Sequence, residues 1–471
     1  MTTNVTKDEI DMNRREFLKQ STRWAGMAAA GMALNPARTW SRPTRLKITD
    51  IRGCTVASNY DYPLIKVYTN QDVYGLGEVR DAGHLGQALI LKPYLVGKDP
   101  LDIEGIMESL RPYSGHGRFG GGFSAVDMAL FDIAGKVLGV PAYKILGQKV
   151  RDRIPVYGDT NASQDPRILA QRAKIRVETW KLKHLKIDLV PRLLKGREGA
   201  FENGVVSDKG IEYWAEYVEA VRDAIGYDIS LGADHFGRMT VASGIQLGEA
   251  MAQPRRKLAY IEDVIPYSAP NAVEMMRQIT EKSPTPTLGY EDLFGLSGFR
   301  PFISEGAVSM VHPDMETSGG LLETKRIADL AYRYGIKAMF HHAGSPIGAM
   351  ASIHCACTIH DFVCMENHAM DIPWWDDLVT GPAKPLIQDG HYTVPERPGL
   401  GVELNDEVVQ KYLREPKYLH KAGYFEPTPE FDEPLDWQEA IKKRIIGGYT
   451  ARGPWVHIDE EGNLVNREDT R

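Results

Sequence analysis

A closed α/β barrel preceded by an α+β unit is the fold class this sequence predicts, on three observations. From about residue 153, short β-type runs alternate with longer helical runs at least seven times. Acidic residues stand at the ends of successive runs, with the period of one βα unit. Residues 46–150 have another texture, a strand meander followed by helices. Repeated βα units call for a parallel sheet, and seven or more in a row favour closure over an open sheet.

The chain has 471 residues, room for two or three units and for a core that can shield a site. Its 56 Lys and Arg against 63 Asp and Glu leave a net charge of −7, which argues against a nucleic-acid partner. At 43% hydrophobic and 25% charged residues, a disordered or collagen-like chain is excluded. Four cysteines (Cys54, Cys355, Cys357, Cys364) are too few for a disulfide scaffold, and the three clustered in an apolar stretch read as buried free thiols.

Residues 1–44 read as an address. Arg14-Arg15 precedes Phe17-Leu18-Lys19, and an 11-residue weakly apolar run, Trp24 to Leu34, follows before Pro36. A basic head and a short apolar stretch of small residues is the shape of an export signal. The segment resembles a twin-arginine translocation signal, with cleavage at Ala28-Ala29-Ala30 or nearer Ala37, so the expected location is periplasmic. An exposed amphipathic helix is the alternative. No other stretch approaches the ~20 apolar residues of a membrane-spanning helix.

In the unit taken as 45–152, Leu46–Ile51, Leu64–Thr69 and Val73–Glu78 are β-rich, and Ala125–Leu138 has helical spacing stopped by Gly139 and Pro141. In the barrel, taken as 153–385, strands are expected at Ile154–Tyr157, His184–Leu189, Ile229–Ala233, Ala259–Ile261, Thr285–Leu288, Val308–Val311 and Lys337–Phe340. Ile211–Ile225 and Leu321–Tyr334 are among the intervening helices. The Pro- and Gly-rich segment from 386 is expected to return to the first unit.

Chemistry in such a barrel sits at the C-terminal ends of the strands. Asp234, Glu262 and Glu291 close three consecutive β runs, 28 and 29 residues apart. Each alone could cap the following helix. Converging, they would be costly without a cation, and hard oxygen ligands with open positions suit Mg2+. The next two ends carry Asp314 and His341, 27 residues apart; an Asp beside a His on the neighbouring strand orients the imidazole as an acid/base. His342 is expected on the other side of its strand. Glu366 follows 25 residues after His341.

Taken together, these residues carry a resemblance. Ala125-x-Asp127-x-Ala129-Leu-x-Asp132-x-x-Gly135-Lys136, Ile261-Glu262-Asp263, Gly289-Tyr-Glu291-Asp-Leu-Phe-Gly295, Pro313-Asp314 with Gly319-Gly320, and His341-x-Ala-Gly-Ser-Pro346 resemble the landmarks of the enolase superfamily, mandelate racemase/muconate lactonizing subgroup, across about 46–430. The resemblance implies an α+β cap on a modified (β/α)7β barrel. It implies Mg2+ on Asp234, Glu262 and Glu291, His341 with Asp314 as catalytic dyad, and Glu366 near the substrate carboxylate or its enolate. It also implies a homo-oligomer, often an octamer or dimer.

The second barrel strand departs from the racemase pattern of Lys-x-Lys, reading Lys186-Ile-Asp188; Lys181-x-Lys183 is a second possible frame. Racemisation needs proton carriers on both faces of the α-carbon, whereas dehydration needs one such face and an acid for the leaving hydroxide. A dehydratase of a sugar acid of aldonate or aldarate type is therefore the expected activity, with Lys186 left to position the carboxylate or move a proton. The alternatives are a racemase or epimerase of an α-substituted acid, and a catalytically silent acid-binding protein. Substrate choice is expected from the cap, through Tyr60 in the turn 57–63 and His116 and Arg118 in the glycine-rich stretch 113–122. Without a helix-start lysine, that stretch reads as a flexible loop and not as a phosphate cradle. Trp374-Trp375 is expected to pack as core or lid.

Overall fold

The structure, a computed structural model, describes residues 46–115, 117–234, 236, 239–414 and 423–435, with the strands of a hairpin at 455–458 and 464–467. The chain divides into residues 1–46 and one compact unit, 47–471. The export-signal reading lies outside the described residues.

In the cap, β1 (Ile48–Val56), β2 (Tyr62–Thr69) and β3 (Tyr74–Glu78) form an antiparallel meander. Helix α1 (Ile103–Leu110) starts on Asp102, whose side chain accepts from Gly105 N. Helix α2 (Gly121–Leu138) is buried from Gly121 through Gly135 and ends at Gly139, in the left-handed region at φ 68°. It lies directly on β3. A Cβ at Gly75 or Gly77 would stand 1.9 or 2.0 Å from the carbonyls of Ala129 and Ala125, so only Gly-Leu-Gly permits this approach. The glycine-rich stretch is thus not a loop throughout. Gly117–Gly120 form a 3-10 turn and Gly121-Gly122 open α2, because Gly122 backs onto the carbonyl of Gln87, leaving no room for a side chain.

The barrel strands are β4 (Arg153–Thr160), β5 (His184–Asp188), β6 (Ser230–Asp234), β7 (Tyr260–Glu262), β8 (Thr287–Gly289), β9 (Met310–Val311), β10 (Lys337–Phe340) and β11 (Phe362–Asn367). They pair in parallel in that order, and β11 closes on β4 through Met365–Val156, Glu366–Tyr157 and Asn367–Gly158. Seven helices connect them among the described residues: α3 (Pro166–Trp180), α4 (Asp208–Ile225), α5 (Val241–Met251), α6 (Ala272–Lys282), α7 (Gly295–Ser304), α8 (Gly320–Arg333) and α9 (Pro346–Ala356). The fold is a (β/α)7β barrel with an α+β cap.

Tyr157, Tyr260, Leu288, Met339 and Cys364, from five different strands, pack together as buried core. All four cysteines are free and buried. Beyond the barrel, β12 (Ile387–Gln388) and β13 (His391–Thr393) form a hairpin, and β13 runs antiparallel to the start of β4. The chain then reaches the cap: Leu400 N donates to Asp132, and Arg414 N to the carbonyl of Thr55. Trp375 is buried with its indole N–H on the Gly344 carbonyl, and Trp374 stacks on Tyr412 at 4.0 Å. No helix among the described residues is long and apolar enough to cross a membrane.

Candidate active site

The parallel register brings the chemistry-bearing residues to one end of the barrel, often as i, i+2 pairs on one strand face. Tyr157 and Asp159 come from β4, Lys186 and Asp188 from β5, Asp234 from β6 and Glu262 from β7. Glu291 follows β8, His312 and Asp314 follow β9, His341 follows β10, Glu366 belongs to β11 and His368 lies just beyond it. None of the three acids read as metal ligands starts the next helix. Those helices begin at Thr240, Asn271 and Phe294, the first with a complete capping box.

Lys186, 1% exposed, binds this ring together: its Nζ is 2.8 Å from Glu366 Oε1 and 3.5 Å from both Asp234 Oδ2 and Glu262 Oε2. Lys181 and Lys183 are exposed, which settles the frame in favour of Lys186-Ile-Asp188. Burial opposes the charge on Glu366, but Lys186, His368 and His341 together hold its carboxyl well below the usual range. Tyr157 donates to Glu366 Oε2 at 2.7 Å and meets His312 Nε2 at the same distance. His312 Nδ1 lies 2.7 Å from Glu262 Oε1, and burial plus Lys186 lower that imidazole to about 4.

The dyad is in contact: His341 Nδ1 is 2.5 Å from Asp314 Oδ2. His341 Nε2 stands 3.3 Å from Glu291 Oε2 and 3.7 Å from Glu366 Oε2. A cap residue completes it. Arg80, fully buried just after β3, ion-pairs with Asp314 and with Asp81 (2.6 Å), reaches Glu291 at 3.2 Å, and lies 2.8 Å from His341 Nδ1. Against burial, Arg80 and then His341 pull the Asp314 carboxyl down to about 2. Two residues earlier, Glu78 accepts from Ser345 N (2.8 Å), Ser345 Oγ (2.6 Å) and Gly348 N (3.0 Å), which fastens the end of β3 to the start of α9. His342 turns away from His341, towards Glu316 at 3.4 Å.

Tyr60 reaches the mouth, its ring edge-on to His368 at 5.9 Å. Burial and the charges of Asp81, Asp159, Asp188 and Glu291 raise its phenol. Asp188 sits beside Asp234 in the sheet register and is 9% exposed. His116 and the side chain of Arg118 lie outside the described residues. The residues that sequence reading passed over are Arg80, Glu78, Tyr157, His312 and His368. His368 and Tyr157 were accessible to the two-residue strand period; Arg80 and Glu78 carry no local signal, because their partners in the barrel lie more than 200 residues away.

The donor set fits a divalent cation. Glu262, Glu291 and His312 offer ligand atoms within 4.8 Å of one another, and Asp234, outside that cluster, shares the Lys186 ammonium with Glu262 at 3.5 Å. Although His312 and Lys186 lie close by, neither oxygen of Glu262 accepts a well-aligned hydrogen bond among the described residues, and burial together with Asp234 pushes its carboxyl well up. A buried carboxylate in that position is stable as an anion only beside a cation.

The profile described as "Enolase C-terminal domain-like" matches residues 169–408, over half of the chain, and that of the "Mandelate racemase / muconate lactonizing enzyme, N-terminal domain" matches 36–147. The chain belongs to the enolase superfamily, in its mandelate racemase/muconate lactonizing branch. Members of this superfamily use a divalent metal. A D-xylonate dehydratase of Haloferax volcanii is 35% identical over 384 residues, covering 79% of this chain and 90% of that protein. A D-galactonate dehydratase of Pectobacterium atrosepticum is 27% identical, over 77% and 94%. Among solved structures, a mandelate racemase/muconate lactonizing enzyme-like protein from Rubrobacter xylanophilus superposes with a TM-score of 0.73 at 29% identity, over 81% of this chain and all of that one.

Proposed function

We propose that this protein is a Mg2+-dependent dehydratase of an aldonate- or aldarate-type sugar acid, yielding a 2-keto-3-deoxy acid. A sugar-acid hydro-lyase is what its relatives' names support. One structural observation carries the reading: His341, locked by Asp314 through Nδ1, presents Nε2 to the mouth, while across Glu366 the only lysine of the second strand is tied to three carboxylates. Among the described residues the mouth therefore sets the His341 imidazole against one anchored lysine, where the racemase pattern has Lys-x-Lys.

Asp234, Glu262 and Glu291 would hold the ion. When bound, it supplies Lewis-acid stabilisation of the charge that develops on the substrate carboxylate. Lys186, anchored by Glu366, orients that carboxylate, and His341 Nε2 removes the α-proton, with Asp314 stabilising the imidazolium that forms. Tyr60 and, on the sequence alone, His116 and Arg118 are assigned to the distal hydroxyls or a second carboxylate of the substrate. The test is turnover of an aldonate and aldarate panel by purified protein, with 2-keto acid as product and α-deuterium exchange in D2O as a second readout. Exchange without keto acid would favour epimerisation. Full activity after exhaustive chelation would remove the metal from the scheme. Export by the twin-arginine route rests on Arg14-Arg15 and the apolar run, and cell fractionation of the parent against Arg14→Lys/Arg15→Lys tests it. Homo-oligomerisation rests on the family and is read by light scattering.

A further inference from the structure

The proposed elimination needs two proton movements on neighbouring carbons: one away from the α-carbon, and one onto the β-oxygen that leaves. His341 accounts for one. His368 stands two residues after Glu366, with Nε2 3.0 Å from Glu366 Oε1 and Nδ1 3.4 Å from Asp159 Oδ2. Its ring centroid is 5.5 Å from that of His341 and 5.9 Å from that of Tyr60. The side chain keeps 10% exposure where Glu366 and Asp314 keep none, so it borders the mouth. Two imidazoles at this separation bracket groups on adjacent carbons, each within the roughly 2.6–3.2 Å of a proton transfer.

We propose that His368 is the general acid of the dehydration, giving its Nε2 proton to the departing β-hydroxide while His341 removes the α-proton. This rests on the dehydratase reading. The electron pair of the α C–H bond becomes the new C=C bond. The pair of the β C–O bond leaves with oxygen, which takes the His368 proton and departs as water. The enol then loses its hydroxyl proton and gains one at the β-carbon, giving the 2-keto acid. His341 returns a proton to solvent and His368 takes one up.

The surroundings hold that proton in place at neutral pH. Burial and Lys186 on β5 oppose the imidazolium, but Asp159 on β4 and Glu366 on β11 favour it and raise it to about 9. His341 beyond β10 and the Tyr60 phenol of the cap are the other titratable groups facing it. Glu366 thus lies between two imidazoles, each with its Nδ1 on an aspartate.

The test uses D-xylonate, or whichever aldonate the panel returns, and its 3-deoxy-3-fluoro analogue, whose fluoride leaves without a proton. His368→Gln is expected to lose keto-acid formation by roughly 100- to 10,000-fold, the range for a general acid. The same variant should keep α-deuterium exchange in D2O and release fluoride from the analogue near the parent rate. Exchange and elimination lost in step, dehydration retained, or fluoride release equally impaired would each overturn the assignment. The parent gives an independent measurement should the variant not fold: its activity should fall above about pH 9 with the hydroxy acid and not with the fluoro acid. Identical alkaline limbs refute the proposal. A parent that forms no 2-keto acid from any aldonate or aldarate refutes the dehydratase reading instead.

Discussion

Replacing Asp314 by Asn should slow the reaction less than the usual loss of a dyad carboxylate, and the reason lies in which oxygen does the work. Oδ2 alone receives both Arg80 Nη1 and His341 Nδ1, while Oδ1 has no hydrogen-bond partner among the described residues. An amide can place its oxygen at the Oδ2 position and serve both donors, leaving its NH2 where no donor is opposed. Tautomer and ring orientation then survive, and only the charge is lost. A full charge pair at about 4 Å with an effective dielectric near 20 is worth about 4 kcal/mol. The imidazolium forms only in part at the transition state, so the loss should be about 2–4 kcal/mol. At about 1.36 kcal/mol per decade, that is a roughly 30- to 1,000-fold fall in kcat. Asp314→Ala removes the orienting group as well and strands Arg80, and should fall by about 10,000-fold, as dyads do when the tautomer is lost. The assay is steady-state keto-acid formation with α-deuterium exchange alongside, both variants carrying comparable KM. An Asn variant within tenfold of the parent, or one as slow as the Ala variant, would refute the reasoning.

Lys186→Met leaves Asp234, Glu262 and Glu366 without their shared ammonium, a loss of about 3–5 kcal/mol for a broken buried pair, and its melting temperature should rise more on adding Mg2+ than the parent's does. An equal rise in both would contradict the shared-acid geometry. Glu262→Gln should weaken Mg2+ by more than the roughly 10- to 100-fold typical of an outer-shell partner, read by calorimetric titration. His354, fully buried beside Tyr143, is held by burial at about 4 against an ordinary 6.5. Below pH 6.5 the unfolded chain takes up a proton that the folded one refuses until about pH 4, so stability falls across that window. At about 1.36 kcal/mol per pKa unit the loss is roughly 3 kcal/mol, and urea midpoints of His354→Gln should decline less steeply over the same range.

The barrel was legible because a strand covered on both faces reads as a short apolar run, and one ending in an acid reads as a βα boundary. Lys337–Phe340 matches its expected bounds, and the other expected barrel strands shift at their ends by one to three residues. Two of the shifts fall where a mouth residue continues the strand: β4 runs on to Thr160 and so carries Asp159 to the mouth, and β7 runs one residue further to include Glu262. The three strand-end acids, the Asp314–His341 pair and Lys186 were readable one per strand. The second member of each strand pair, such as Tyr157 with Asp159 or His368 after Glu366, needed the period of two applied at the strand ends as well as inside the strands. Arg80 obeys no such rule. It follows a cap strand, and only the docking of that strand onto α9 through Glu78 carries its guanidinium to Asp314.

That docking makes the charge of the mouth a property of both halves of the chain. Asp81, Asp159, Asp234, Glu262, Glu291, Asp292, Asp314 and Glu366 surround Arg80, Lys186 and the His368 imidazolium, so the acids named here outnumber the cations. A sugar acid brings one more negative charge to this surface. Its carboxylate can approach only where positive charge is concentrated, at Lys186 and, on the proposed ligand set, at a cation held by the three strand-end acids, since like charges desolvated together cost several kcal/mol. The proposed scheme then makes metal binding a condition of substrate binding as well as of the chemistry. Raising Mg2+ should lower the KM for the acid as well as raise kcat, and an ion that changed kcat alone would place the substrate carboxylate elsewhere.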